Sequence, residues 1–183
     1  TFPVVLNFHG NSNSFARQSH FAFGCYNEDF LLVFPDGDLN TYFCDSPVDP
    51  RIRIETFITE ELRPYLIDNY RAGNDRKWAT MGISSGGFGA FSNVMKHKDK
   101  FCAIATVGAP FIIKDVADTG DDTYFKLRFG TDSKNYIPFN LTWIAESTKL
   151  QENQVNIYFI YYSNDTVGQI PKHSRYFHKY LDS

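Results

Sequence analysis

Five short apolar runs, each separated from the next by a longer polar or amphipathic stretch, set what this chain can fold into. They cover residues 4–8, 30–34, 78–81, 103–107 and 157–162. Their hydrophobic residues are mostly unalternating, the pattern of strands covered on both faces. Between them, residues 51–69 place Ile54, Phe57, Ile58, Leu62, Tyr65 and Leu66 at helical spacing. Residues 87–96 and 172–181 read as further helices. Strand and helix in alternation predict an α/β fold: a mostly parallel central sheet with right-handed crossovers and helices on both faces. In such a sheet, functional residues collect at the carboxyl ends of the strands.

The 183 residues suit one domain with a single core. Net charge is −3 with no basic stripe, so nucleic acid is not an expected partner. The longest apolar runs are about six residues against the ~20 needed to span a bilayer, so no membrane partner is expected either. The chain opens directly on the strand pattern TFPVVLNF, without a leader, and is expected to be a trimmed or mature piece. Its three cysteines, Cys25, Cys44 and Cys102, show no CxxC spacing, and no metal site or cofactor is expected. Cys102 reads as a buried thiol. Cys25 and Cys44 could pair in an oxidising compartment or stay free. Two N-glycosylation triplets start at Asn140 and Asn164, a pattern common by chance.

Residues 111–150 break the rhythm. They hold Gly-Asp and Thr-Asp turn clusters and one short helical candidate, 143–149. One reading is an excursion over the carboxyl edge of the sheet, forming a lid or substrate pocket. The other is a long structural connection.

The sharpest motif is Gly82-Ile83-Ser84-Ser85-Gly86-Gly87, which contains G-x-S-x-G between an apolar strand and a helix pattern. A serine on a tight strand-to-helix turn projects its hydroxyl above the sheet. The positions two before and two after must be small, because the backbone folds back on itself. The helix that follows points its positive end at the serine and favours nearby negative charge. A phosphate-binding loop of the G-x-x-x-x-G-K-[ST] type is excluded by the missing lysine. Ser84 is therefore the candidate nucleophile.

Acyl transfer also needs two backbone N–H donors aimed at the tetrahedral oxyanion. Ser85, just after the serine, and Asn11, in His9-Gly10-Asn11 after the first strand, are the candidates. His9 itself reads as a residue that shapes this loop rather than as a catalytic group. Asp165, in Ser163-Asn164-Asp165 after the last strand, is the candidate acid, since serine before acid is the chain order of the nucleophile-elbow enzymes. Its alternative role is a turn aspartate. Asp115, Asp118, Asp121 and Asp122 are competitors in the irregular segment.

The stretches FPVVLNFHGN, LLVFPDGDLNTYF, ETFITEELRPYLIDNY and DRKWATMGISSGGFGAF together resemble, in order and spacing, the esterase D-like branch of the α/β-hydrolases. That branch includes feruloyl and other carbohydrate esterases, S-formylglutathione hydrolases and mycolyltransferases. The resemblance implies Ser84 as nucleophile, Ser85 and Asn11 as oxyanion donors, Asp165 as acid, and Asp36-Gly37 as a loop flanking the site. A methionine often stands where Ser85 does, and its N–H serves equally. It also implies one or more strands before residue 4, and a catalytic histidine one helix and one strand beyond the acid, past Ser183. His20, His97, His173 and His178 have no catalytic position on that layout. The expected activity is serine-dependent hydrolysis of a small or carbohydrate-linked ester. The alternatives are acyl transfer at the same site, or a non-catalytic relative that binds a sugar or aryl ligand. The aromatic residues Tyr42, Phe43, Tyr124, Phe125, Tyr136 and Phe139 would either serve such a ligand or fill the core.

Overall fold

The computed structural model describes residues 1–11, 28–38, 42–75, 77–111, 123–149, 151, 154–165 and 170–182. The five apolar runs form β1 (Val4–Phe8), β2 (Leu31–Val33), β3 (Trp78–Ile83), β4 (Phe101–Val107) and β5 (Asn156–Ile160). All four pairings are parallel, in the order β2-β1-β3-β4-β5. The expected α/β architecture is thus observed, with strand ends within two residues of the apolar runs.

The longest helical run, α1, joins Ile54–Thr56, a widened turn over Phe57–Leu62, and Arg63–Tyr70. The widening has a local cause. Pro64 offers no N–H to the carbonyl four residues back, and its ring needs room there. The Arg63 N–H accordingly bonds to the carbonyl of Ile58. Ile58 and Leu66 reach the core, but Tyr65, expected on the same face, is exposed beside Tyr70.

Helix α2 (Ser85–Lys96) is almost wholly buried. Thr80 Oγ1 donates to the carbonyl of Ala90 in α2, so the Trp78, Thr80 and Gly82 side of β3 faces this helix. The remaining helices are α3 (Thr123–Phe129), α4 (Leu141–Ser147) and α5 (Ile170–Leu181), with a 3-10 helix over Ser133–Phe139. Phe177 of α5 stacks on Phe111 at 4.8 Å and meets Phe91 of α2 edge-on at 4.8 Å. Arg63 of α1 lies over the Trp78 ring at 5.0 Å. The core therefore sits between the sheet and a helical layer built around α2.

Cover on the opposite face is lighter among the described residues. Val5, Ala79, Met81, Ala103 and Ala105 are only partly buried there, and Tyr158 of β5 is 64% exposed. The apolar runs predicted strands shielded on both sides, and for β5 that expectation fails: its residues alternate between exposed and part-buried. As the last strand in the sheet order, β5 has a neighbour on one side only among the described residues.

Much of the 111–150 segment contributes to the core. Phe129, Tyr136, Phe139, Leu141, Ile144 and Ala145 are buried, and the Leu141 N–H bonds to the carbonyl of Phe111. Asn140 caps α4 by accepting from the N–H and hydroxyl of Thr142, which gives that Asn-Leu-Thr triplet a local structural use. Tyr42 and Phe43 are also buried, so of the six aromatic residues weighed for a ligand surface these four fill the core. The side chains of Tyr124 and Phe125 lie outside the described residues. Cys44 is a buried free thiol, and Cys102 is only partly buried, against expectation. Cys25 lies outside the described residues.

Candidate active site

The strand order reverses direction at β1. The chain leaves β1 for β2 on one side and leaves β3 for β4 on the other, so the connections diverge above the carboxyl ends of β1 and β3. A parallel sheet opens its crevice at such a point. Ser84 and Gly10 meet there.

Strand β3 ends at Ile83 and α2 begins at Ser85, so Ser84 alone makes the turn. Its φ of 53° and ψ of −124° lie where residues with side chains rarely go, at a cost of about 1–3 kcal/mol. The surrounding structure holds it there. The Ser84 N–H bonds to the carbonyl of Val107 at 2.9 Å, and the Ser84 carbonyl accepts from the Phe88 N–H at 3.1 Å. The two flanking glycines are sterically required. A Cβ at Gly82 would lie 2.4 Å from the Gly86 carbonyl oxygen, and one at Gly86 would lie 2.2 Å from that of Phe8. The turn faces the carboxyl ends of the strands, and Ser84 is part-buried rather than sunk in the core.

Ser85 is buried at the head of α2, where the first N–H groups have no helical carbonyl to bond. Across from it, the pairing of Phe8 with Gly82 brings the end of β1 alongside the serine turn. A Cβ on Gly10 would be 3.4 Å from both Ser84 Cβ and the Ile83 carbonyl oxygen. Asn11 follows, part-buried, with its side-chain oxygen buried and unbonded.

His9 is buried at 3% exposure. Its Nε2 accepts from the Gly37 N–H at 3.1 Å, and its Nδ1 lies 3.0 Å from the Gly10 carbonyl oxygen. It thereby joins the loops after β1 and β2. The Asp36-Gly37 loop is in turn tied to α3, through Asp38 Oδ2 and Arg128 Nη2 at 2.8 Å. In the sequence, only the family resemblance links Asp36-Gly37 to the site. No local pattern reveals a contact between residues 28 positions apart.

Asp165 is part-buried on the loop after β5, and its N–H closes a turn onto the Tyr162 carbonyl at 3.1 Å. The loop stands at the same edge of the sheet as Ser84, two strands across. The competing residues Asp115, Asp118, Asp121 and Asp122 lie outside the described residues, as does His20.

The described histidines other than His9 are engaged elsewhere. His97 Nε2 lies 3.0 Å from Glu55 Oε1, at the far end of α2. His178 pairs with Asp182 at 3.0 Å, and His173 is buried in the core layer on α5. Among the described residues, no histidine is paired with Ser84.

The Glu55 cluster is the strongest electrostatic feature away from the site. Glu55 Oε2 also accepts from Lys96 Nζ at 2.7 Å. Burial works to raise the Glu55 pKa, but its bonds to His97 and Lys96 outweigh this and hold it below the usual range. Burial lowers the Lys96 pKa, yet the charge of the Glu55 carboxylate and its hydrogen bond raise it on balance. Burial pushes the nearby Cys44 thiol up to about 12, so it is unreactive at neutral pH.

Comparison with known proteins bears on the family and the fold. A family model described as "Putative esterase" matches residues 1–159. No curated protein is significantly similar in sequence. Among solved structures, FphF, a fluorophosphonate-binding serine hydrolase of Staphylococcus aureus, superposes with a TM-score of 0.82 at 16% identity; the match covers 100% of this chain and 72% of that one. MPT51 of Mycobacterium tuberculosis gives 0.76 at 17%, covering 99% and 76%. An S-formylglutathione hydrolase from Agrobacterium tumefaciens gives 0.67 at 12%, covering 99% and 84%. No helix among the described residues is long and apolar enough to cross a membrane. With the parallel sheet, the strained serine turn and a family match over most of its length, this chain belongs to the esterase family of the α/β-hydrolases.

Proposed function

We propose that the protein is a serine esterase acting through an acyl-enzyme on Ser84. The observation that carries this is the conformation of Ser84, a strained single-residue turn that faces the Gly10-Asn11 loop across the crevice. A structural turn gains nothing from such strain. A nucleophile gains a hydroxyl lifted clear of the sheet, beside the positive end of a helix.

Ser84 Oγ attacks the carbonyl carbon of an ester, and its proton passes to a base. The Ser85 and Asn11 N–H groups hold the resulting oxyanion. The tetrahedral intermediate collapses, the alcohol leaves with the proton, and water then hydrolyses the acyl-serine. Asp165 is read as the acid that orients the histidine base, which no described histidine supplies. The family supports a small-molecule ester as substrate. The 111–150 segment is read as the element that shapes the acyl or alcohol pocket. It is anchored by buried aromatic residues and by the Arg128–Asp38 pair beside the site.

The test is stoichiometric labelling by a fluorophosphonate, with the adduct located by peptide mass. Labelling at Ser84 that vanishes in Ser84→Ala supports the reading. An unlabelled native protein would instead favour a ligand-binding relative.

A further inference from the structure

We propose that His9 is a positioning residue: its ring, as the neutral Nδ1–H tautomer, sets the direction of the Asn11 N–H. The inference rests on the reading of Ser84 as nucleophile and deepens it.

The two polar contacts of the ring fix its tautomer. The Gly37 amide can only donate, so Nε2, 3.1 Å away, must be the bare nitrogen. The Gly10 carbonyl can only accept, so Nδ1, 3.0 Å away, must carry the hydrogen. Among the described residues, the acidic group beside the ring is Asp36, whose Oδ1 is 3.6 Å from Nε2. That oxygen already accepts from the Asp38 N–H at 3.1 Å.

Peptide planarity carries the effect to the site. The Gly10 C=O and the Asn11 N–H belong to one trans peptide unit and point in opposite directions. Holding the carbonyl on the His9 ring turns the N–H away from that ring. Gly10 itself is packed against Ser84. An oxyanion donor is effective only if aimed at the developing charge, so its direction matters as much as its presence.

The ring has little freedom to change role. Phe43 meets it edge-on at 5.0 Å and stacks on Phe8 at 4.4 Å. A Cβ on Gly37 would strike the Phe43 ring at 2.4 Å, which keeps that loop close to the imidazole. The Phe43 carbonyl accepts from Asn93 Nδ2 of α2 at 2.9 Å. A chain of contacts therefore runs from the nucleophile's own helix, through Phe43 and His9, to the proposed oxyanion donor.

The experiment has two arms on the full chain. In the native protein, imidazole nitrogen-15 shifts at neutral pH should show His9 protonated at Nδ1 only. Protonation at Nε2, alone or together with Nδ1, overturns the proposal without any variant. In the second arm, His9→Asn keeps an N–H near the Nδ1 position, His9→Gln moves it toward Nε2, and His9→Ala removes it. For a p-nitrophenyl ester, His9→Ala and His9→Gln should lose about tenfold to a hundredfold in kcat with KM little changed. His9→Asn should recover most of that loss. Thermal midpoints, read in parallel, correct for folded fraction. Equal losses in His9→Asn and His9→Gln, or losses that track the midpoint alone, overturn the proposal. A native protein unlabelled at Ser84 removes the esterase reading, and with it the role proposed for His9.

Discussion

The two ends of α2 differ in how their polar groups are used. At its head, Ser84 is held in a strained conformation, and the first N–H groups of the helix have no helical partner. At its tail, side chains bond to neighbouring elements. Asn93 Nδ2 donates to the carbonyls of Phe43 and Gly89, while Lys96 and His97 share Glu55. A single buried helix thus joins a strained turn to an anchor of side-chain bonds. The strain can persist because the far end and both flanking strands hold the helix in place.

Substitutions at each end test the contrast. The largest effect belongs to the head: Ser84→Ala should lower ester hydrolysis by about 10⁴-fold or more. Its thermal midpoint should hold steady, since alanine keeps the Cβ and leaves the strained backbone of the turn as it is. A fall in midpoint would mean that the serine is structural. The tail should behave oppositely. Glu55→Gln leaves Lys96 and His97 without their anion in a site where the Glu55 side chain is 14% exposed. A loss of roughly 3 kcal/mol at pH 7 is expected, with turnover per folded molecule unchanged. The sign of its pH dependence follows from a carboxylate held below its ordinary value of 4.5. The stabilisation is complete above that value and fades as pH falls through the lower folded-state value. Native and variant melting curves should therefore converge in acid, and curves that stay parallel would contradict the pairing.

Gly86→Ala sits between the two ends. Its methyl would press on the Phe8 carbonyl oxygen, so about 1–3 kcal/mol of stability should be lost, together with turnover, as β1 is pushed from the serine turn. A variant with native turnover would show that the β1–α2 spacing is slack. The smallest effect is expected at the Arg51–Asp49 pair, 2.8 Å apart at the surface, with Arg51 well exposed. Neighbouring Arg51 groups hold the Asp49 carboxyl at about 2, yet Arg51→Ala should leave the thermal midpoint within experimental scatter.

The readable parts of the sequence were those with local causes. Strands announce themselves by short apolar runs, and the serine turn by glycines that the backbone requires at Gly82 and Gly86. The 111–150 segment was harder to read because, apart from the short α4 with Leu141, Ile144 and Ala145 at helical spacing, its core contribution comes from scattered residues, Phe129, Tyr136 and Phe139. Tyr42 and Phe43 were ambiguous for a similar reason. Both adopt positive φ, which composition does not foretell, and that conformation turns Phe43 onto Phe8 and His9. The Glu55 cluster joins residues 41 and 42 positions apart and has no sequence signature.

The sequence by itself determined the parallel α/β architecture and the candidate nucleophile, because strand periodicity and steric demand at a tight turn act between near neighbours. Only the tertiary structure decided which groups hold that turn and its facing loop in register. The bond from Gly37 to His9, the packing of Phe43 and the pairing of Glu55 depend on distances between elements far apart in the chain. Those distances are set by the packing of the whole core.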